Sequence, residues 1–115
     1  WNEDVIATVD LGKIKAISEI NVNFLRDQRS WIFLPTKVNI YSSTDGKSFT
    51  KIKNWIAPKP FNTDEVELTS VKAKKNLKTR FIKIIAKKLG ELPEWHLGYP
   101  HDGRSWIFID EIQIK

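Results

Sequence analysis

Cysteine is absent from the 115-residue sequence. That excludes a disulfide framework and any thiolate metal site, and it leaves the compartment undecided. No apolar run approaches the roughly 20 residues that cross a bilayer as a helix, and no charged segment followed by an apolar stretch opens the chain. Neither a phosphate-binding glycine loop nor a nucleophile elbow is present. Arginine is scarce beside lysine, so bidentate forks for phosphate are few, and no RNA-binding or helix-turn-helix pattern occurs. The first residue is Trp1 rather than methionine. The chain therefore reads as a cut or processed piece of something longer, whose localisation signals would have gone with the rest.

What is there describes a small globular domain. Hydrophobic residues make up 41% and charged residues 29%, which separates the chain from disordered sequences. The length suits a single domain over residues 1–115. Without disulfides such a domain must rest on its core, and five Trp and six Phe suit that need. Net charge is +5, and much of the excess falls in one stretch running from Lys72, Lys74, Lys75 and Lys78 through Arg80 and Lys83 to Lys87 and Lys88. Two readings are open for it, a solvated strand face or a contact for an anionic surface.

The dominant period is two. Ile20, Val22 and Phe24 alternate with Asn21 and Asn23; Val38 and Ile40 with Lys37 and Asn39; Val66 and Leu68 with Glu65 and Glu67. Near the end Phe108, Ile112 and Ile114 are expected on one face, with Glu111 and Gln113 on the other. Half-buried antiparallel strands with one wet side are the implied elements. A turn through Asp45-Gly46 joins two of them, and Pro58 and Pro60 break the chain in a loop. No segment has an amphipathic helix pattern, and Val71 to Leu77 is expected to form a turn at most. The fold class is all-β, a sandwich or barrel of short strands.

Two longer irregular stretches stand out, Arg26 to Pro35 and Gly90 to Ser105. Long loops on a rigid sheet are where binding residues concentrate. An echo links them, because Arg29-Ser30-Trp31-Ile32-Phe33 returns as Arg104-Ser105-Trp106-Ile107-Phe108. Five residues are too few for a duplicated domain; two loops docking alike at one end of the sandwich would suffice.

In order along the chain, Val9-Asp10-Leu11-Gly12-Lys13 with Ile17 to Ile20, then Val38 to Ser42 with Asp45-Gly46 and Phe49, then Thr79 to Ile84, then Phe108 to Ile114, resemble the successive motifs of discoidin-like (coagulation factor 5/8 type C) domains. The match spans almost the whole chain. The stretch Phe24 to Pro35, with Leu92 to His96 and Trp106 to Ile112, is similar to the C-terminal domain of Bacteroides-type chitobiases (β-N-acetylhexosaminidases). This resemblance implies an antiparallel, discoidin-like jelly-roll β-sandwich, here lacking its usual N-terminal edge segment. It also implies an accessory, galactose-binding-like or family 32-like carbohydrate-binding module beside a glycosidase barrel that holds the catalytic carboxylates. The periplasm, the outer membrane or the exterior is the expected location.

A sugar site needs an aromatic platform for the apolar face of a pyranose and hydrogen-bonding side chains for its hydroxyls. Residues 91–104 contain both: Trp95 and Tyr99 to stack, with His96, Asp102 and Arg104 to grip hydroxyls. Arg26, Asp27 and Arg29 are expected on the neighbouring wall, and Trp31 is a further candidate contact there. Trp95 equally suits a plug that folds back over the end of the sandwich, and for Trp31 and Trp106, each followed by Ile-Phe, burial is the simpler reading. His96 and His101 with Glu94 or Asp102 match no compact metal site. The resemblance motivates calcium in the complete domain, with Glu111 as one ligand, although the loop expected to supply most of its oxygens is missing; Glu111 equally suits a surface strand position or a partner for Arg104. Asp110 and Glu111, adjacent on a strand, are expected to point to opposite faces, so they cannot work as a pair.

The sequence thus favours a non-catalytic module binding glycans of N-acetylhexosamine or galactose type, partnered by the hydrolase domain of the same chain, with no nucleic acid and no membrane insertion. The rival is a structural domain that packs on the hydrolase and binds no sugar.

Overall fold

The computed structural model describes residues 4–89 and 106–115. Along the chain come β1 (Val5–Arg26), a 3-10 turn (Gln28–Ser30), β2 (Lys37–Ser43), β3 (Thr50–Ile56), β4 (Glu67–Lys87) and β5 (Phe108–Ile114). All pair antiparallel, in the spatial order β3-β2-β4-β1-β5.

β1 and β4 run side by side from Val5 opposite Ala86 to Arg26 opposite Glu67, with register breaks between Asp10 and Lys15 and between Ile17 and Glu19. On one side of the breaks β2 and β3 extend the pair; on the other, β5 lies against Ile20 to Leu25. Irregularities of this kind bend strands sharply, and here they bring the two halves of one ladder face to face. Ile20, Val22, Phe24 and Val71 from one half share a single buried cluster with Val38, Ile40, Ile82 and Ile84 from the other. The result is the discoidin-like β-sandwich expected from the sequence. Each fully buried Ile, Val or Phe contributes about 1.5–3 kcal/mol over leaving it in water, so this cluster is the main cohesive element.

The bend is pinned by a forked ion pair between two of the signature segments. Arg80 Nε and Nη2 donate to the two carboxylate oxygens of Asp10 at 2.9 and 3.1 Å, and the Gly12 amide donates to Asp10 Oδ1 at 2.8 Å. The Arg80 side-chain bond, followed by the Gly12 amide, holds the Asp10 carboxyl below its ordinary pKa. The β2–β3 hairpin caps itself in the same way. Asp45 Oδ1 accepts from the amides of Lys47 and Ser48 at 2.8 and 2.9 Å, and Ser43 Oγ accepts from the Gly46 amide at 2.9 Å. Gly46 has φ +76°, and a Cβ there would lie 3.1 Å from the Phe81 ring. Both conditions favour glycine.

Several period-two readings hold: Ile20, Val22, Phe24, Val38 and Ile40 are all buried. Others are corrected. Asn39, expected on the wet side, is buried in the second strand of the sheet between Asn54 and Ile85, and among the described residues its Oδ1 has no hydrogen-bond partner. Val66 and Leu68 are exposed, because the first part of β4 turns Val71 and Ala73 toward the core and leaves Leu68, Ser70 and Lys72 outside; only beyond the bend do the even-numbered Ile82 and Ile84 face inward. The segment expected to turn at Val71–Leu77 is continuous strand. Phe108 is 46% exposed, on the opposite face from Ile112 and Ile114. The reason is a register break in which Asn23 faces Glu111 but Phe24 faces Ile109. The extra residue, Asp110, shifts the alternation by one. That bulge also leaves Asp110 and Glu111 both exposed, instead of on opposite faces.

Candidate functional site

The sandwich has two dissimilar ends. The hairpin end carries the Ser43–Thr50 turn and the bend of the β1–β4 pair. At the loop end lie residues 27–36, residues 57–66, and both roots of the 90–105 stretch, Leu89 and Trp106.

β1 ends at Arg26, whose in-facing position aims a long cation at the end of the core. The residue is 8% exposed. Its Nη2 pairs with Glu67 Oε2 at 3.1 Å, and its guanidinium lies 5.2 Å from the centre of the Phe61 ring. The chain then turns tightly. Asp27 exchanges both backbone hydrogen bonds with Ile32 at 2.9 Å, and Asp27 Oδ2 accepts from Ser30 Oγ at 3.0 Å. Trp31 closes the 3-10 turn with φ 65°, a left-handed conformation rare for a bulky side chain and frequent at binding loops. Gln28 is 3% exposed, and its Nε2 donates to the carbonyls of Phe61 and Thr63, both at 2.9 Å. One buried amide thus ties residues 27–36 to residues 57–66.

Between these loops lies a cleft of about 380 Å³, walled by Phe33, Leu34, Pro35, Pro58, Pro60 and Phe61, with Arg26 and Gln28 beneath and Leu89 at the margin. The walls are apolar. Such a cleft takes the C–H face or acyl methyl of a ligand, while hydroxyls must be met at its rim.

The two echo segments dock directly on one another. Ile32 forms a parallel bridge with Trp106; the Trp106 amide donates to Trp31 O at 2.9 Å, and the Phe33 amide donates to Trp106 O at 3.0 Å. They dock one residue out of step, so Phe33 and Ile107 enter the interior, each 2% exposed, while Trp106 stays 44% exposed. The expected burial of Trp106 is therefore corrected, and the cause is this offset. Trp31 is half-buried.

Of the residues expected to contact sugar, Arg26, Asp27 and Trp31 come together at the loop end. Arg26 and Asp27 have their side chains engaged by protein partners, so they shape the wall. Trp95, His96, Tyr99, Asp102 and Arg104 lie outside the described residues, as do Glu94 and His101. The structure does bring both roots of that stretch to the 27–36 loop. Sequence reasoning missed Gln28, Phe61 and the Pro58–Pro60 wall. A glutamine before Arg-Ser gives no signal of burial, and the prolines read only as chain breakers.

Glu111 lies on exposed β5 opposite Asn23. Asp4, Asp110 and Glu111 border one open groove, but among the described residues no three His, Asp or Glu side chains converge to hold a metal ion. Calcium needs six or more oxygens, so this set does not fit it.

The architecture is a five-stranded antiparallel ladder folded into a sandwich, with irregular loops gathered at one end. The chain belongs to the F5/8 type C domain family, whose profile matches residues 1–112; domains of this family are non-catalytic modules. Two solved structures share the fold. One is CBM32-1 from a family 31 glycoside hydrolase of Clostridium perfringens, 22% identical, covering 72% of this chain and 58% of that one, with a TM-score of 0.50. The other is the C-terminal domain of a chitobiase from Bacteroides fragilis, 17% identical, covering 97% of this chain and 62% of that one, with a TM-score of 0.55. The chain therefore spans about three-fifths of each. Among curated proteins none matches the sequence.

Proposed function

We propose that this domain is a glycan-binding accessory module of a glycoside hydrolase, with its site at the loop end. The observation that carries the reading is the exposed Trp106, held by the 27–36 loop at one root of the aromatic and polar 90–105 stretch, with the apolar cleft at the other root. Trp106, with Trp95 and Tyr99, supplies stacking surface, and His96, Asp102 and Arg104 supply hydrogen bonds to hydroxyls. The likeness to a carbohydrate-binding module and to a chitobiase domain supports this, and N-acetylhexosamine or galactose units are the proposed ligands. An apolar cleft favours the N-acetyl sugar, whose methyl it would bury. Weak single-site binding would act by keeping a tethered hydrolase near its polymer. With a polymeric substrate, the proposed location is the periplasm, the outer membrane or outside the cell.

A glycan array followed by calorimetry tests the reading, using the wild type, Trp95→Ala and Trp106→Ala. Expected is binding to N-acetylhexosamine- or galactose-terminated glycans that each substitution weakens about five- to tenfold, the loss of one stacking platform being on the order of 1–1.5 kcal/mol. A folded wild type that binds no glycan would overturn it.

One observation favours a second reading, in which the domain packs against the hydrolase. Leu68, Leu25 and Phe108 form an apolar row across β4, β1 and β5 on the outer face, with Leu68 and Phe108 exposed. Under that reading Phe108→Ser loosens the domain from its hydrolase in limited proteolysis of the full protein, while Trp106→Ala does not.

A further inference from the structure

The lysines concentrate at the hairpin end, away from the proposed sugar site. Lys72 and Lys74 project from the outer face of β4, Lys13 and Lys15 from the bend of β1, and Lys75 and Lys78 from the bulged segment between them; all six are exposed. Among the described residues none of these six forms an ion pair. The acids of this end are largely engaged: Asp10 is forked by Arg80, and Asp45 is capped by its own turn. The loop end instead mixes its lysines with Asp4, Asp64, Glu65, Glu67, Asp110 and Glu111.

This end also has a hollow of about 400 Å³, where Ser42, Thr44, Ser48, Thr50, Lys75 and Lys78 line the space together with the apolar Ile52 and Leu77. Among the described residues the four hydroxyls make no side-chain hydrogen bond. One wall is rigid, because the Ser43–Asp45 turn is capped and Thr79 Oγ1 donates to Ser43 O at 2.9 Å. Two cations beside four uncommitted hydroxyls, in a concave and preformed space, match a ligand unit that carries both an anionic group and several hydroxyls.

We propose that the hairpin end is a second carbohydrate site, selective for anionic saccharides whose units carry a carboxylate or a sulfate. Lys75 and Lys78 take the anionic group, the Ser and Thr hydroxyls take the ring hydroxyls, and Lys13, Lys15, Lys72 and Lys74 follow further charges along the polymer. Other polyanions fit less well. A membrane surface would meet one exposed large apolar side chain in the bend, Ile14, and would not enter a hollow. Nucleic acid is read by arginine forks and free aromatic faces. Here Arg80 is bound to Asp10 and lies 4.9 Å from the centre of the Phe81 ring, while Lys83 lies 4.0 Å from that of Phe49.

The test measures binding to polygalacturonate (carboxylate), dextran sulfate (sulfate) and neutral dextran, with phosphatidylserine vesicles and a duplex oligonucleotide as rival ligands. Expected is binding to at least one anionic polysaccharide and none to neutral dextran, weakening about tenfold or more between about 50 and 200 mM salt. The double variant Lys75→Gln/Lys78→Gln weakens it about tenfold or more, whereas Lys37→Gln/Lys87→Gln, the same charge change at the other end, alters it less than about twofold. The response to carboxylate against sulfate polymer identifies the anionic group. Equal losses in the two double variants would reduce the effect to net charge and overturn the site. So would absence of binding to both polymers, or tighter binding to vesicles or to duplex.

Discussion

The two ends of this sandwich are built on different terms. At the loop end, long irregular segments are held by buried polar groups: Gln28 bridges two loops through its amide, and Arg26 lies under Phe61 with Glu67 as partner. At the hairpin end, a short turn satisfies itself through Ser43 and Asp45 and leaves its lysines and hydroxyls to solvent. A loop that needs long-range ties can be undone at one buried atom. A locally capped turn cannot, but it depends on backbone geometry and on the ionisation of one carboxylate.

The largest separation of the ends is expected from Gln28→Ala. It leaves the Phe61 and Thr63 carbonyls without their donor and lowers stability by about 1–3 kcal/mol. Hydrogen exchange should rise in residues 27–36 and 57–66 while residues 43–50 stay protected; uniform protection would show that the two loops do not depend on this tie. Next comes Gly46→Ala, which forces a Cβ against Phe81 at positive φ and costs about 1–2 kcal/mol. Denaturant titration measures the loss, and exchange should increase at the hairpin alone.

The smallest effect is in pH. The Ser48 and Lys47 amides hold the Asp45 carboxyl below its ordinary pKa, as the Arg80 bond does for Asp10. A carboxylate with a depressed folded-state pKa contributes stability that is present above its unfolded pKa of about 3.9 and lost as pH falls through the lower folded value. Thermal midpoints should therefore fall below about pH 4, and Asp45→Asn should flatten that slope. An unchanged slope in the variant would remove Asp45 from the account.

Much of the fold was legible in the sequence, because alternation is a local property. Ile20-Asn21-Val22-Asn23-Phe24 can bury only one of its faces, and it buries the apolar one. The site was legible in outline. The echo of Arg-Ser-Trp-Ile-Phe marked two segments that meet, but their offset by one residue exposes Trp106 and buries Ile107. No repeat within the chain states the register at which its copies pair. Nor does a glutamine announce that its amide will bridge two loops.

By itself the sequence determined an all-β chain without disulfide support, its turn at Asp45-Gly46 and its excess of lysine, all of which follow from local sterics, composition and charge. Tertiary structure decided which apolar alternations face inward. Val66 and Leu68 look outward and Phe108 changes sides at the Asp110 bulge, because a strand's buried face is chosen by what packs on it. It decided as well that the lysines gather at one end and the irregular loops at the other. That segregation arises because antiparallel strands return residues distant in sequence to the same edge of the sandwich.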